Sequence, residues 1–469
     1  METAVELALK QLEKTDGQVT SQIIKDLIKD HEPDRQRMIE LYERYKASKY
    51  GVPVLTRQFE DKWKINNKLN NDFLGEIVDT KVGYFAGEPI SYTIATEEGE
   101  AENTRAKEAL EDFKRRNNIP DIDAETAKMA AICGYGVRLC YIDREGEEKV
   151  MNVDPWECIF VTDMSINEPQ YSMRYYKITE RYPGERSPKE KRYSERWRVE
   201  WYDDTYVTFY KESETGEFIE DPDEPSREHL FDGVPLIGFP NNEEHQGDAE
   251  KVLNLIDGYD NTVSDVNSEI EQFRLAYMAF YGYSPDEETL RRAKKTGAFG
   301  LDIDGKIEFI TKDMQDTVIE NHLDRLETNI YRFSKTPNFQ DEAFAGSQSG
   351  EARKFKMLNF ENKCITTERK FAAALRQMFK VISSAWQKKG IPVEYEKIDF
   401  QFTRNFPLDL QYEAEANQLL KGLVSEKTRL AMLSFVDPEE EQQKIEEERE
   451  EGILNEMWRA EEEDEDDEE

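Results

Sequence analysis

The sequence predicts an α+β fold in which a sheet domain rich in aromatic residues is joined to very long helices. Three observations carry this. Between Tyr135 and Tyr210, short runs rich in aromatic and β-branched residues alternate and are separated by turn residues. From Asp248 to Tyr281, Val252, Leu255, Ile256, Tyr259, Val263, Val266, Ile270, Phe273 and Tyr277 form one narrow apolar seam at helical spacing. From Gly350 to Lys389, Phe355, Leu358, Ile365, Phe371, Leu375, Met378, Phe379, Ile382 and Trp386 supply apolar contacts along another very long helix before Gly390 and Pro392 stop it.

Taken in order, the first 50 or so residues read as helices, with His31 to Pro33 as punctuation. A polar stretch then becomes helical through Phe73, Ile77, Val78 and Tyr84, and Gly87 and Pro89 end it. Ala124 to Ala131 reads as a helix. The following strand carries Val137, Leu139 and Tyr141 and turns at Glu145 and Gly146. Further strands are expected at Glu148 to Val153, Cys158 to Val161, Ser172 to Lys177, Arg196 to Tyr202 and Tyr206 to Tyr210, so that residues 59–240 form one α+β domain with an antiparallel sheet.

The long seam helix has a second face of Asn254, Asp257, Asn261, Asp265, Ser268 and Gln272, residues suited to water or a hydrated cavity. A second run, Gln315 to Phe333, repeats the seam through Ile319, His322, Leu323, Leu326, Ile330 and Phe333, with His322 read as a packing residue. The two make an antiparallel pair, and two helices alone bury too little apolar area to be stable. Either the pair packs on its own chain or it is one stave in a ring of identical staves.

The segment between these helices starts with a short helix behind Pro285. It continues with a hairpin in which Phe299, Leu301 and Ile303 turn at Asp304-Gly305 and return through Ile307 and Phe309. After the second helix, residues 336–349 form a polar loop with Phe339 and Phe344. Beyond the Gly350 helix come a strand at Lys397 to Thr403 and a last helical region from Leu410 to Met432.

Charge is the strongest compositional signal. The chain carries 101 acidic against 63 basic residues, a net of −38. Residues 437–469 hold 19 acidic and three basic residues, a net of −16, which leaves −22 on residues 1–436. Such a surface repels phosphate and argues against tight DNA binding, while suiting a smooth passage for a sliding polyanion. No run of 18 apolar residues and no basic-then-apolar amino terminus occurs, so neither a membrane span nor a secretory signal is expected. Cys133, Cys140, Cys158 and Cys364 have no metal or disulfide spacing, and a reducing compartment is the default.

Chemistry is scarce. There is no G-x-x-x-x-G-K-[ST] loop. Gly134 and Gly136 begin a G-x-G that ends at Leu139 instead of a third glycine. Asp302, Asp304 and Gly305 lack the later ligands of a calcium loop. Pro120-Asp121 with Glu125 and Lys128 has the wrong spacing for a nuclease core. No catalytic residue, metal or cofactor is expected. The basic clusters Arg291, Arg292, Lys294, Lys295 and Arg353, Lys354, Lys356 read either as solvated helix faces or as contacts to nucleic acid or an acidic partner.

Several stretches in this order, NNKLNNDFLGEIVDTKVGYFAGEPI, GYGVRLCYID with DPWECIFVTD, GVPLIGFPNNEEHQGDAEKVLNLIDGYDNTVSDVNSEIEQF, SGEARKFKM and LVSEKTRLAML, resemble the portal proteins of tailed bacteriophages, in the form found in siphophages of Gram-positive hosts. The resemblance spans nearly the whole chain. It implies a ring of twelve copies at one capsid vertex, through which double-stranded DNA is packaged, retained and ejected. Its implied partners are the terminase large subunit, a head-completion adaptor, and the major capsid and scaffolding proteins. No membrane is implied, and the places are the virion and, during assembly, the host cytoplasm.

Carried onto this chain, the resemblance implies an N-terminal helical arm at 1–58, an α+β wing at 59–247, stem helices at 248–281 and 315–335, and a clip with a hairpin at 282–314. It places a tunnel loop at 336–349, a long helix with a wing strand at 350–409, and crown helices with an acidic tail at 410–469. Beside DNA it puts Pro337, Asn338, Phe339, Gln340, Asp341, Glu342, Phe344 and Gln348. In the clip, facing terminase or adaptor, it puts Arg291, Arg292, Lys294, Lys295, Asp304 and Gly305. Stem packing falls to Val263, Val266, Ile270, Phe273, Leu323, Leu326 and Ile330. The competing readings are a coiled-coil scaffold or tether without a channel and, more remotely, a nuclease with an unrecognised carboxylate site.

Overall fold

Thr3 opens the first helix with a reciprocal cap: its hydroxyl accepts from the Glu6 amide while the Glu6 carboxylate accepts from the Thr3 amide. The computed structural model describes residues 3–15, 17–60, 64–94, 101–162, 169–181, 193–273, 277–281, 284–296, 305–310, 316–339, 350–391, 393–405, 415, 417–430, 432–433, 436, 441–442 and 444–445. The elements run α1 (Ala4–Lys14), α2 (Ser21–Tyr45), α3 (Pro53–Thr56), α4 (Phe73–Phe85), β1 (Ser91–Ile94), α5 (Ala101–Asn117), α6 (Ile119–Cys133), β2 (Tyr135–Ile142), β3 (Glu148–Val153), β4 (Cys158–Val161), β5 (Tyr171–Arg181) and β6 (Tyr193–Tyr202). They continue with β7 (Tyr206–Glu212), β8 (Phe218–Glu220), β9 (Arg227–Glu228), β10 (Leu236–Pro240), α7 (Leu253–Phe273), β11 (Tyr277–Tyr281), α8 (Glu287–Thr296), β12 (Lys306–Ile310), α9 (Asp316–Ser334), α10 (Gly350–Lys388), β13 (Ile398–Gln401) and α11 (Glu426–Leu430).

The chain is thus α+β, as expected, but its strands form several sheets where one was expected. β10, β2 and β3 make one antiparallel sheet. β4 to β8 make a second in sequential order, with β9 against β7. β1 pairs with β13 across more than 300 positions of sequence, Ser91 opposite Gln401. Local alternation marks a strand without saying which neighbour it will choose.

Helix α10 is the spine of the largest core. Phe371, Leu375, Met378, Phe379, Ile382 and Trp386 are fully buried against Phe85, Phe113, Phe239 and Ile398. Phe113 belongs to α5, a helix that sequence reading did not identify. α1 and α2 cover one face of the β4–β8 sheet through Leu12, Ile24, Leu27, Tyr175 and Val199. α2 continues through Pro33, so the expected punctuation there is overturned. His31 and Tyr175 meet across this junction, Nδ1 to hydroxyl at 2.7 Å.

The end of α6 explains the pair of glycines considered for a dinucleotide site. Gly134 takes φ +96° as the helix stops, and a Cβ there would lie 1.9 Å from the His245 carbonyl oxygen. The Gly134 carbonyl accepts from the Asn241 amide, and the Ala131 carbonyl accepts from the Asp248 amide. The glycine therefore lets the segment leading into α7 lie directly on the end of α6.

Two further expectations need correction, and a third falls partly outside the described residues. The predicted helix through Tyr281 ends at Phe273, and Tyr277–Tyr281 is a strand paired with Lys306–Ile310, Tyr277 opposite Ile310. Its four-residue step from Phe273 fits a helix, but the aromatic run Tyr277, Phe280, Tyr281 favours an extended strand when a partner strand exists. The expected hairpin partner, Phe299 to Ile303 with Asp304, lies outside the described residues; Gly305 immediately precedes β12. In the last helical region, Lys421 bridges Val424 in parallel and breaks the helix before α11.

Candidate functional site

The distinctive part of the molecule is the α7–α9 hairpin and the chain segments that fasten it. Val252, Ile256 and Ile330 are buried in its seam, while Tyr259, Val263, Val266, Leu323 and Leu326 are half-buried. At the base, the Phe73 ring meets Tyr259 at 5.0 Å and Tyr331 at 5.9 Å between centroids. The Tyr331 hydroxyl donates to Glu76 at 2.8 Å. Contact within the chain is incomplete along the pair: toward the far end Ile270 is 49% exposed and Val318 60%, and at the base Phe333 is 54% exposed. His322, expected in the seam, is exposed on α9. The Phe273 side chain is outside the described set.

The face of α7 expected to be wet is partly occupied. Asp260, Ser264 and Ser268 are buried beneath residues 67–71, which run antiparallel to the helix in extended form. The Asn71 amide donates to Asp260 Oδ1, the Leu69 amide to Ser264 Oγ and the Asn67 amide to Ser268 Oγ, each at 2.9 Å. Two residues of extended chain advance about 6.6 Å and four residues of helix about 6.0 Å, so every second amide meets every fourth helical side chain. Arg57 closes the end of this strap, donating to Asp265 Oδ1 at 2.8 Å and to the Asn67 carbonyl at 3.0 Å. Arg44 holds Asp257 with two hydrogen bonds, at 2.9 and 3.1 Å. Ser268 thus belongs to a protein contact, correcting the expectation of a hydrated face.

Where α7, α9, α4 and α10 converge sits a buried ionic node. Lys81 of α4, 2% exposed, donates to Asn241 Oδ1 at 2.6 Å and Thr367 Oγ1 at 2.8 Å, and its ammonium lies 3.0 Å from Asp248 Oδ2. Lys363 of α10 lies 3.0 Å from Asp248 Oδ1 and donates to the Ser334 carbonyl at the end of α9. Burial pulls the Lys81 ammonium below its ordinary value, even against the pull of Asp248. Burial also opposes ionisation of Asp248, but Lys363 and Lys81 outweigh it and hold its carboxyl below the usual range. Sequence reading missed Lys81, though a signal exists: it occupies the apolar face of α4 with Ile77, Val78 and Phe85.

The other predicted residues fall as follows. Arg291, Arg292 and Lys295 are exposed on α8, where the Asp286 carboxylate accepts from the Thr289 amide at the N-terminus; the Lys294 side chain is outside the described set. The strand pair β11–β12 lies on the same connection between α7 and α9. Pro337, Asn338 and Phe339 follow α9, Phe339 is half exposed, and Asn338 donates to Glu327 at 3.1 Å. Gln340, Asp341, Glu342, Phe344 and Gln348 lie outside the described residues, as do Arg353, Lys354 and Lys356 as side chains. Glu125 and Lys128 simply pair with each other along α6.

A cleft of about 1060 Å³ opens between α2, β4 and α10, lined by both signs of charge, including Arg37, Glu250, Lys370 and Arg376. Among the described residues no group of three or more His, Cys, Asp or Glu is placed to hold a metal ion, and no helix is long and apolar enough to cross a membrane. All four cysteines are buried and unpaired.

Comparison with known proteins places the chain in a family. The family model described as phage portal protein, SPP1 Gp6-like, matches residues 24–453. A portal protein of Bacillus phage SPP1 is 26% identical over 455 residues, covering 91% of this chain and 86% of that protein. A portal protein of Clostridium phage phiCD119 is 24% identical over 421 residues, covering 86% and 89% respectively.

Proposed function

The chain belongs to the SPP1 Gp6-like family of phage portal proteins, and from that membership we propose that its copies close into a ring whose central channel passes double-stranded DNA. Phage portal proteins are structural components of the virion capsid. The observation that carries the channel reading is the α7–α9 hairpin. It is held to its own chain by the node and aromatic cluster at the base and by the strap along α7, while Ile270 and Val318 toward the far end and Phe333 at the base remain uncovered. Uncovered apolar side chains along a helix pair are what lateral neighbours would bury.

In this reading the hairpin is the stem. Val263, Val266, Ile270, Phe273, Leu323, Leu326 and Ile330 pack within and between stems. The connection bearing Arg291, Arg292, Lys294, Lys295, Asp304 and Gly305 is the clip and docks the terminase during packaging and an adaptor afterwards. Residues 336–349, with Pro337, Asn338, Phe339, Gln340, Asp341, Glu342, Phe344 and Gln348, form the loop nearest DNA. The sheets with α1 to α6 form the wing, and residues 410–469 the crown and acidic tail. The net charge of −38 supports passage without sticking, since each phosphate neutralised by Lys or Arg adds an attraction that movement would have to break.

Shortening residues 338–349 in the phage tests the assignment. Rings are expected to persist while the yield of packaged genome falls. Normal packaging with the shortened loop would overturn the placement of that loop beside DNA.

A further inference from the structure

Two charge tracks run along each side of the hairpin. On α9, Arg325 and Arg332 are exposed on one flank, and Glu320 and Asp324 on another, with the seam residues Leu323, Leu326 and Ile330 on the side turned to α7. On α7, away from α9, Asp265 is exposed beside Glu269, and the strap adds the exposed Lys64 and Lys68 along a second line. Helical geometry orders these lines. With 100° per residue and antiparallel axes, the Arg325 flank of α9 and the Asp265 flank of α7 fall on the same broad face of the pair. The Asp324 flank and the strap fall toward the opposite face.

We propose that the α9 side of one hairpin docks on the α7 side of a second copy of this chain, Arg325 meeting Asp265, and Glu320 and Asp324 meeting Lys64 and Lys68. The occupant is a second copy because each side supplies, at similar heights above the base, a charge that the other lacks: Arg325 lies about 14 Å along α9 from Ser334 and Asp265 about 18 Å along α7 from Leu253. Among the described residues Arg325 and Asp324 have no ion pair, and Lys68 donates to the Leu55 carbonyl without an ion pair. Asp265 already accepts from Arg57, yet its side chain is 60% exposed and has room for a second cation. Val318 and Phe333 lie on the Arg325 flank and supply apolar area to the same contact. The contact is head-to-tail, so it can repeat around a ring. It also gives the strap a second role: residues that fasten α7 inside one chain present the cations that recognise the next.

The inference rests on the ring reading, and charge reversal separates the two. Size-exclusion chromatography of the full chain at low salt first establishes that the unmodified chain assembles; if it does not, the ring reading itself fails. Given assembly, Arg325→Glu is expected to lower the assembled fraction about tenfold and the double variant with Asp265→Lys to restore it. Asp324→Lys is expected to do the same, with rescue by Lys68→Glu. Unchanged thermal melting of each dissociated variant separates lost contact from lost folding. Undiminished assembly of Arg325→Glu and Asp324→Lys would overturn the proposal. So would rescue of Arg325→Glu by Asp324→Lys, because that pattern belongs to α9 packing on α9 about a two-fold axis.

Discussion

Lys363 Nζ stands 3.0 Å from Asp248 Oδ1 while donating to the Ser334 carbonyl, so one side chain of α10 ties the start of α7's segment to the end of α9. Asp248 also faces the ammonium of Lys81; Lys81 and Asp248 are buried and Lys363 partly so. Asp248→Asn removes the carboxylate that faces both ammonium groups and is expected to cost about 3–5 kcal/mol, the usual loss when a buried ion pair is broken from one side. Urea unfolding of the variant measures this. A loss below about 1 kcal/mol would mean that water reaches the node.

Ser264 is fully buried and receives the Leu69 amide. Ser264→Ala leaves that amide without a partner and is expected to destabilise by about 1–3 kcal/mol. Hydrogen exchange locates the effect: the Leu69 amide should lose protection while amides in β2 and β3 keep theirs. Unchanged protection at Leu69 would show that the strap is held by something other than this ladder.

What was legible in the sequence followed from short-range pattern. Glu148–Val153 and Cys158–Val161 are strands with the expected bounds, and Gly146 turns at φ +83°, because alternation and turn chemistry are local properties. The portal family was legible through the order of its motifs. The strap was not, because NNKLNND has meaning only when laid against Asp260, Ser264 and Ser268, some 200 residues later. The node was hidden for the same reason: Lys81, Asp248 and Lys363 become one site only through the fold. The end of α7 was misjudged because Tyr277 satisfies both a helical and an extended spacing, and only β12 decides between them.

His31 contacts Tyr175 between α2 and the β4–β8 sheet, and burial lowers its pKa to about 4. The folded chain therefore binds this proton less readily than the unfolded chain, whose histidine titrates near 6.5. Stability is unaffected above pH 6.5 and is lost as pH falls from there toward 4. The expected loss between pH 7 and pH 5 is about 2 kcal/mol from this residue. His31→Gln should flatten the dependence of the urea midpoint over that interval. An unaltered slope would assign the acid sensitivity elsewhere.

Val263 is half-buried in the α7–α9 seam and Ile270 is half exposed. An aspartate at Val263 is expected to loosen the hairpin within each chain and to block assembly, because the new charge has no partner in an apolar seam. Ile270→Asp should leave the dissociated chain folded and act on assembly alone. Circular dichroism with electron microscopy separates the two. Normal rings from both variants would contradict the packing assigned to the seam.

Native mass spectrometry of the purified chain, with electron micrographs of the same sample, addresses the channel most directly. One dominant closed assembly of twelve chains of 55.0 kDa, seen end-on as a ring with a central hole, is the expected result. Monomers or dimers at every concentration, or assemblies without a hole, would contradict it.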